Sequence, residues 1–356
     1  MAATEKKVDE QPEEWNEPST LQAEQDLSIS RRMGNWKTVL SFGFAVAVLA
    51  GVVLKVGIDP AALWHRLRTI NLGLFLGAFG TYYLTFPLRG YRWKRLLQNA
   101  YEDTHRQTVD DMSVRGLTEI IYISWFVNCV VPAKLGDLYR AYLAKLWVGI
   151  SWTRNVGTIL AERLVDILVL SLLLPATGFI VFHDRLGQVS MILALGSGLA
   201  VVGLIALLLM KTMSHRIRRL IPERFVQKYV SFEEGTLHSF RRLPAVLALT
   251  LLIWFLEGGR LQLVFASLGL HISGVPLAPM LFFALGTAVL TTVPFTPGGL
   301  GLVEGGILGL LIYLGIPKAD AAAVVLVDRL LSYYSVAVFG FVVYLLSKRS
   351  HFRHPV

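Results

Sequence analysis

The sequence predicts an all-α fold: a polytopic helical membrane protein with about six full spans and two re-entrant helical hairpins in an inverted pseudo-repeat. Three observations carry that expectation. Apolar residues make up 54% of the 356 and charged residues only 17%, against roughly 45–50% apolar in soluble domains. Two apolar stretches, 277–293 and 300–314, flank a Pro-Gly-Gly break, and each falls short of the about 20 residues that a crossing needs. A third short stretch, 116–131, ends in another Pro/Gly break. Backbone that leaves the helix at membrane depth must be buried in protein or line a wet cavity.

Taken in order, residues 1–35 are expected to form a disordered acidic cytoplasmic tail. They carry Glu5, Asp9, Glu10, Glu13, Glu14, Glu17, Glu24 and Asp26, and lack the apolar core of a signal peptide. The integral membrane domain is expected over 36–346. Its first span is 37–57, and its second, 71–88, is followed by the basic cluster Arg89, Arg92, Lys94 and Arg95. A polar loop, 98–115, leads into the first hairpin, whose break holds Pro132, Gly136 and Asp137. Span three, 156–182, carries Glu162, Arg163 and Asp166, and span four is 189–210. The basic stretch 211–242 mixes Arg216, Arg218, Arg219 and Arg224 with Ile217, Leu220 and Phe225, the pattern of an interfacial amphipathic helix. Span five, 245–270, is interrupted by Glu257 and Arg260. After the second hairpin comes span six, 321–346, with Asp328 and Arg329, and then a basic cytoplasmic tail, 347–356.

The formal net charge of +9 is read as orientation rather than nucleic-acid binding. Its residues sit in short loops, where the positive-inside rule places them against anionic head groups. That rule puts both termini in the cytoplasm of a multi-pass cell-membrane protein. It works only if each short hairpin returns to its own side.

The two halves, about 71–182 and 245–346 with linker 183–244, repeat their unusual features in the same order. Arg89 and Arg92, then Pro132 and Asp137, then Glu162-Arg163 are answered by Glu257 and Arg260, then Pro297 and Glu304, then Asp328-Arg329. Pro132 precedes Arg163 by 31 positions and Pro297 precedes Arg329 by 32. Inverted repeats with interrupted helices are how many secondary transporters build a midplane site; chance alignment of a few charges is the alternative.

Glu162 and Asp166 lie four apart and share a helix face, which must point to protein or water rather than lipid. Two readings stay open for them and for Asp328 and Arg329: a structural ion-pair network, or contact with substrate or protons. As pairs crossing between the halves, Arg163 is expected to meet a hairpin acid such as Asp137, and Arg329 to meet Glu304. Gly298, Gly299 and Gly301 let a phosphate approach the backbone beside the half-helix that bears Glu304; the alternative is a hinge with small residues for helix packing. Arg89, Arg92 and Arg140 are candidates for gripping a lipid phosphate, against plain anchoring of span ends. Cys129, the single cysteine, reads as a small core residue. No HExxH, GxSxG or GxxxxGK[ST] motif occurs.

The motifs LRGYRWKRLL around Arg89 and Arg92, VPAKLGDLYRAYL after Val131, AERLVDIL after Ala161, TPGGLGLVEGGIL after Thr296 and VDRLLSYY after Val327 resemble the lysylphosphatidylglycerol synthase transmembrane region, a flippase-like domain family. The resemblance implies movement of an amphiphilic lipid between leaflets. Its founding members flip lysyl-phosphatidylglycerol and carry a soluble aminoacyl-transferase domain after the membrane part. The present chain stops at Val356, so aminoacyl transfer is not expected of it. Where the family has Gly-Glu after the first break, Gly136-Asp137 stands here.

The expectation is a non-enzymatic transporter without cofactor or metal. Its partners are phospholipids or a lipid-linked substrate, a separate lipid-modifying synthase or a second copy of the chain, with no nucleic acid. The alternatives are a membrane-embedded transferase using Glu162 and Asp166, and a non-transporting scaffold.

Overall fold

The computed structural model describes residues 57, 59–131, 134–182, 186–270, 277–292 and 297–351. The acidic tail, the first span apart from its final glycine, Pro132 and the last five residues lie outside the described residues. Every regular element described is helical, with no strand among the described residues.

Helix α1 (Pro60–Arg68) starts on an Asp59 cap, whose Oδ1 accepts the Ala61 N–H at 2.9 Å, with proline in the first turn. Helix α2 (Leu72–Ala100) is capped by Asn71 and has 29 residues, about 44 Å at the usual rise. The span was expected to end at residue 88. The helix continues unbroken through Arg89, Arg92, Lys94 and Arg95. Arg89 and Arg92 are buried, with acidic partners on other helices. Lys94 is the first of the cluster to meet polar backbone, donating to the carbonyls of Asp110 at 2.7 Å and Met112 at 2.6 Å.

After the short α3 (Arg106–Asp111), helices α4 (Val114–Val130) and α5 (Leu135–Val148) form the first hairpin. Its clasp is polar: the Gly136 N–H donates to Asn128 Oδ1 at 2.8 Å, and Ser124 Oγ donates to the Gly136 carbonyl at 2.8 Å. A Cβ at Gly136 would collide with the Ser124 carbonyl, so only glycine permits the approach. Helix α6 (Trp152–Phe182) follows, then α7 (Leu186–Leu220) and α8 (Glu223–His238). The stretch expected as one interfacial helix is therefore divided. Its first part extends α7, Pro222 stands at the corner, and α8 lies along α6.

Helix α9 (Leu243–Ser267) comes after a single 3-10 turn. Helices α10 (Leu277–Thr292) and α11 (Leu302–Tyr313) form the second short pair, around the turn Pro297–Gly299. Helix α12 (Lys318–Arg329) passes through a π-helical turn, Leu330–Tyr334, into α13 (Ser335–His351). Three continuous helical stretches among the described residues are long and apolar enough to cross a bilayer: Trp152–Phe182, Glu223–Ser267 and Lys318–Ser347.

Apolar side chains also cover the outside. Leu172 is 66% exposed, Val202 65% and Val338 61%, a surface suited to lipid rather than water. Inside, α2 is the common support, packing on α4, α6 and α9. Tyr82, Phe86 and Trp93 of α2 join Ile121 and Phe126 of α4 and Tyr333 in one buried cluster.

Glycine also lets α6 and α8 approach closely. A Cβ at Gly157 would meet the Phe232 carbonyl, and one at Gly235 would meet the Arg154 carbonyl. Gly157→Ala or Gly235→Ala should therefore cost about 1–3 kcal/mol, read as a lower melting temperature in detergent. Gly80→Ala, whose added methyl meets nothing within 4 Å, should leave the melting temperature level or slightly raised.

Candidate functional site

The charges of the membrane helices meet each other. Arg92 is fully buried; its Nη2 donates to Glu162 Oε1 at 2.8 Å, and its Nη1 to Asp166 Oδ1 at 2.6 Å and to Thr250 Oγ1 at 2.9 Å. Glu162 is shared: its Oε2 accepts from Arg140 Nη2 at 2.8 Å. Asp137, at the start of α5, pairs with Arg163 at 3.2 Å, and Arg163 also lies 3.6 Å from Asp166. The two residues expected four apart on one face, Glu162 and Asp166, thus grip one guanidinium from α2.

The second group begins three residues earlier on α2. Arg89 Nη2 donates to Glu257 Oε1 at 2.9 Å, and Glu257 Oε2 accepts from Arg260 Nε at 3.1 Å. Arg260 pairs in turn with Asp328. Arg329 Nε stands 2.9 Å from Glu304 Oε1. The pairs Arg163 with Asp137 and Arg329 with Glu304 are present, each within one half rather than crossing between the two.

Across the two groups six arginines face six carboxylates among the described residues. The formal charge of the network is therefore zero. Taking an ion out of water costs several kcal/mol, and only close pairing offsets that. Aromatic faces contribute as well. The Arg140 guanidinium lies 4.5 Å from the Trp93 ring centre, Arg89 lies 4.8 Å from Trp125, and Arg260 lies 5.4 Å from Tyr82. These rings and Thr250 were not among the expected site residues. Trp93 beside Arg92, and Tyr82 two turns before Arg89, were signals the sequence offered; Trp125 and Thr250 carried none.

The network is not uniformly enclosed. Arg89, Arg92, Arg140, Arg260 and Arg329 are each 8% exposed or less, whereas the Arg163 side chain is 36% exposed. Beside it stands Lys134, exposed and in the left-handed region at φ 52°, a conformation that costs a non-glycine residue about 1–2 kcal/mol. Sequence reasoning passed over this lysine.

At the second break, Gly298, Gly299 and Gly301 all have positive φ, which explains why glycine stands at each. The space beside them is filled. A Cβ at Gly298 would strike the Tyr333 ring, and one at Gly299 would meet Val303 and Thr291. Glu304 folds back to accept the Gly301 N–H at 2.6 Å, so the carboxylate itself takes the place expected for a phosphate there. Tyr333 also donates to the Cys129 carbonyl at 2.7 Å, joining the end of α4 to the second break. Pro297 lies in the turn.

Apolar helices around an interior of paired arginines and carboxylates define a helical membrane protein. The chain belongs to the family described as the lysylphosphatidylglycerol synthase transmembrane region, matched over residues 40–340. A UPF0104 membrane protein of Methanocaldococcus jannaschii is 30% identical over 65% of this chain and 97% of its own length. One from Methanothermobacter thermautotrophicus is 23% identical over 83% of this chain and 91% of its own. The glycosyltransferase AglD of Haloferax volcanii is 29% identical over 78% of this chain, but the match spans only 49% of AglD. No solved structure matches the chain.

Removing the shared carboxylate leaves two buried cations short of a partner. Glu162→Ala should destabilise the protein by about 3–5 kcal/mol, read as loss of the folded, monodisperse fraction in detergent. Asp320→Asn breaks a pair whose Arg66 is 42% exposed and should cost no more than about 1 kcal/mol.

Proposed function

We propose that the chain is a flippase-like transporter that moves a phospholipid, or an aminoacyl- or glycosyl-lipid, between leaflets. The observation that carries this reading is the zero-charge network of arginines and carboxylates in both halves of a membrane protein. Intramembrane ionisable groups mark substrate or ion paths by default. Family membership and the packing of each short helix pair support it. In this reading six helices cross fully, α4–α5 and α10–α11 enter part-way from opposite sides, and both termini are cytoplasmic. The protein resides in the cell membrane and catalyses no covalent chemistry. A separate synthase can supply a modified lipid, and a second copy can complete a dimer.

Arg163 is the member best placed to receive a phosphate, because it is half-exposed and its hold on Asp137 is the longest of the principal pairs. A phosphate oxygen that replaces Asp137 exchanges one anion for another, so the arginine stays paired throughout. Lys134 adds a mobile positive charge at the same tip. Its strained backbone is the kind that persists where a side chain is needed for function.

The second reading, a membrane-embedded transferase, is favoured by the similarity to a protein named glycosyltransferase AglD. The chain spans about half of that protein, so its activity cannot be carried over whole. Purified protein in liposomes separates the readings. Transport predicts movement of labelled lipid without chemical change; a transferase predicts a new lipid product by mass spectrometry.

With transport, Arg163→Ala should lower the rate about tenfold or more, which corresponds to at least about 1.4 kcal/mol, while the elution profile stays that of the folded protein. Lys134→Gly should raise stability by about 1 kcal/mol yet slow transport. Equal rates for the parent protein and both variants, or movement no faster than in empty liposomes, would overturn the reading.

A further inference from the structure

One concavity lies away from the ionic network. It is a groove of about 360 Å³ between the first turns of α4 and the last turns of α13, lined by Arg115, Thr118, Glu119, Tyr122, Val343 and Leu346. Two of its polar groups are already engaged: Thr118 Oγ1 donates to the Val114 carbonyl at 2.7 Å, and the Tyr122 hydroxyl donates to Tyr83 at 2.9 Å. Arg115 and Glu119 are not. Among the described residues neither has an ion-pair or hydrogen-bond partner, although they stand four apart on one helix, where opposite charges commonly meet. Glu119 is half-buried against apolar neighbours, where a carboxylate without a cation is costly.

We propose that this groove holds a phospholipid whose head carries both a phosphate and an ammonium group, as in phosphatidylethanolamine. Arg115 takes the phosphate and Glu119 the ammonium. One turn of helix separates the two side chains, and a two-carbon spacer separates the two charges of the head. Charge complementarity selects this occupant, since an amine-free anionic head would leave Glu119 unpaired and bring a second negative charge beside it. The surroundings fit a lipid. Val342, Leu345 and Leu346 of α13 are 47%, 45% and 60% exposed, a lane for an acyl chain. Arg115 lies in the first turn of α4, immediately after the polar residues 101–113, at the depth of a head group. The site is separate from the network, and its occupancy does not depend on transport.

The test uses the full chain in vesicles of phosphatidylglycerol, whose head carries no ammonium group. The probes are phosphatidylethanolamine or phosphatidic acid carrying a photoreactive group in one acyl chain. The expected result is labelling by the ethanolamine probe on peptides covering 114–122 and 339–347, at least about fivefold above the phosphatidic acid probe. Glu119→Gln should bring the two probes within about twofold of each other, and Arg115→Gln should lower labelling by both. Neither variant removes a pair of the network, so both remain folded. Equal labelling of the parent protein by the two probes overturns the proposal, as does an ethanolamine preference unchanged in Glu119→Gln. So does exclusion of every lipid from these peptides, the outcome if a second copy or another protein fills the groove.

Discussion

The structure turns on the guanidinium of Arg92. It is wholly enclosed, and it reaches Glu162 and Asp166 of α6 and Thr250 of α9. A charge so placed has no water to fall back on, so its partners dictate where three helices stand. Rotating α2 by one residue, about 100°, would carry the guanidinium off all of them at once. Arg140 adds the first hairpin to the same carboxylate. Lipid offers no hydrophobic drive between helices, since its tails are as apolar as leucine. Polar contacts of this kind, with close glycine packing such as Gly157 on α8, supply the specificity that an aqueous protein draws from its core.

The pairing repeats between the halves in a way that neither motif shows alone. In the first half the acid of Glu162-Arg163 takes the arginine of a long helix, Arg92, and the arginine takes the acid of the hairpin, Asp137. In the second, the acid of Asp328-Arg329 takes Arg260 of α9, and the arginine takes Glu304. Adjacent residues diverge by about 100° on a helix, so an acid-arginine dipeptide can serve two neighbours on different sides. Each such dipeptide ties a hairpin to a long helix. Arg89 and Arg92, one turn apart on α2, join the two sets.

Much of this was legible in the sequence. The charged residues interrupting apolar runs, the two Pro/Gly breaks and the pairs Arg163–Asp137 and Arg329–Glu304 could all be read from order and spacing. What was not legible depended on neighbours distant in the chain. The cluster from Arg89 to Arg95 looks like a span end because an arginine in lipid is expensive, and the sequence does not reveal that Arg89 and Arg92 meet carboxylates on α9 and α6. The stretch 211–242 looks like one amphipathic helix because its composition is uniform, and only the contact of α8 with α6 divides it. The glycines of the second break look like an open cradle because the sequence does not reveal that Tyr333 lies against them.

That filled cradle bears on how a balanced network can act. Among the described residues six arginines and six carboxylates leave no standing charge, so any ion that entered the network would have to exchange with a resident one. Exchange is hardest where the resident acid also caps backbone, as Glu304 does for Gly301, and where the cation is enclosed, as Arg329 is. It is easiest where the cation is half-exposed and its acid is free of other duties. Among the described residues the Asp137 carboxylate accepts no backbone N–H beside its pair with Arg163, and that pair lies next to a lysine held in a strained turn. Two elements alike in sequence pattern therefore differ in how their carboxylates are held: Glu304 of the second caps its own backbone as well as pairing with Arg329, whereas, among the described residues, Asp137 of the first is held by Arg163 alone.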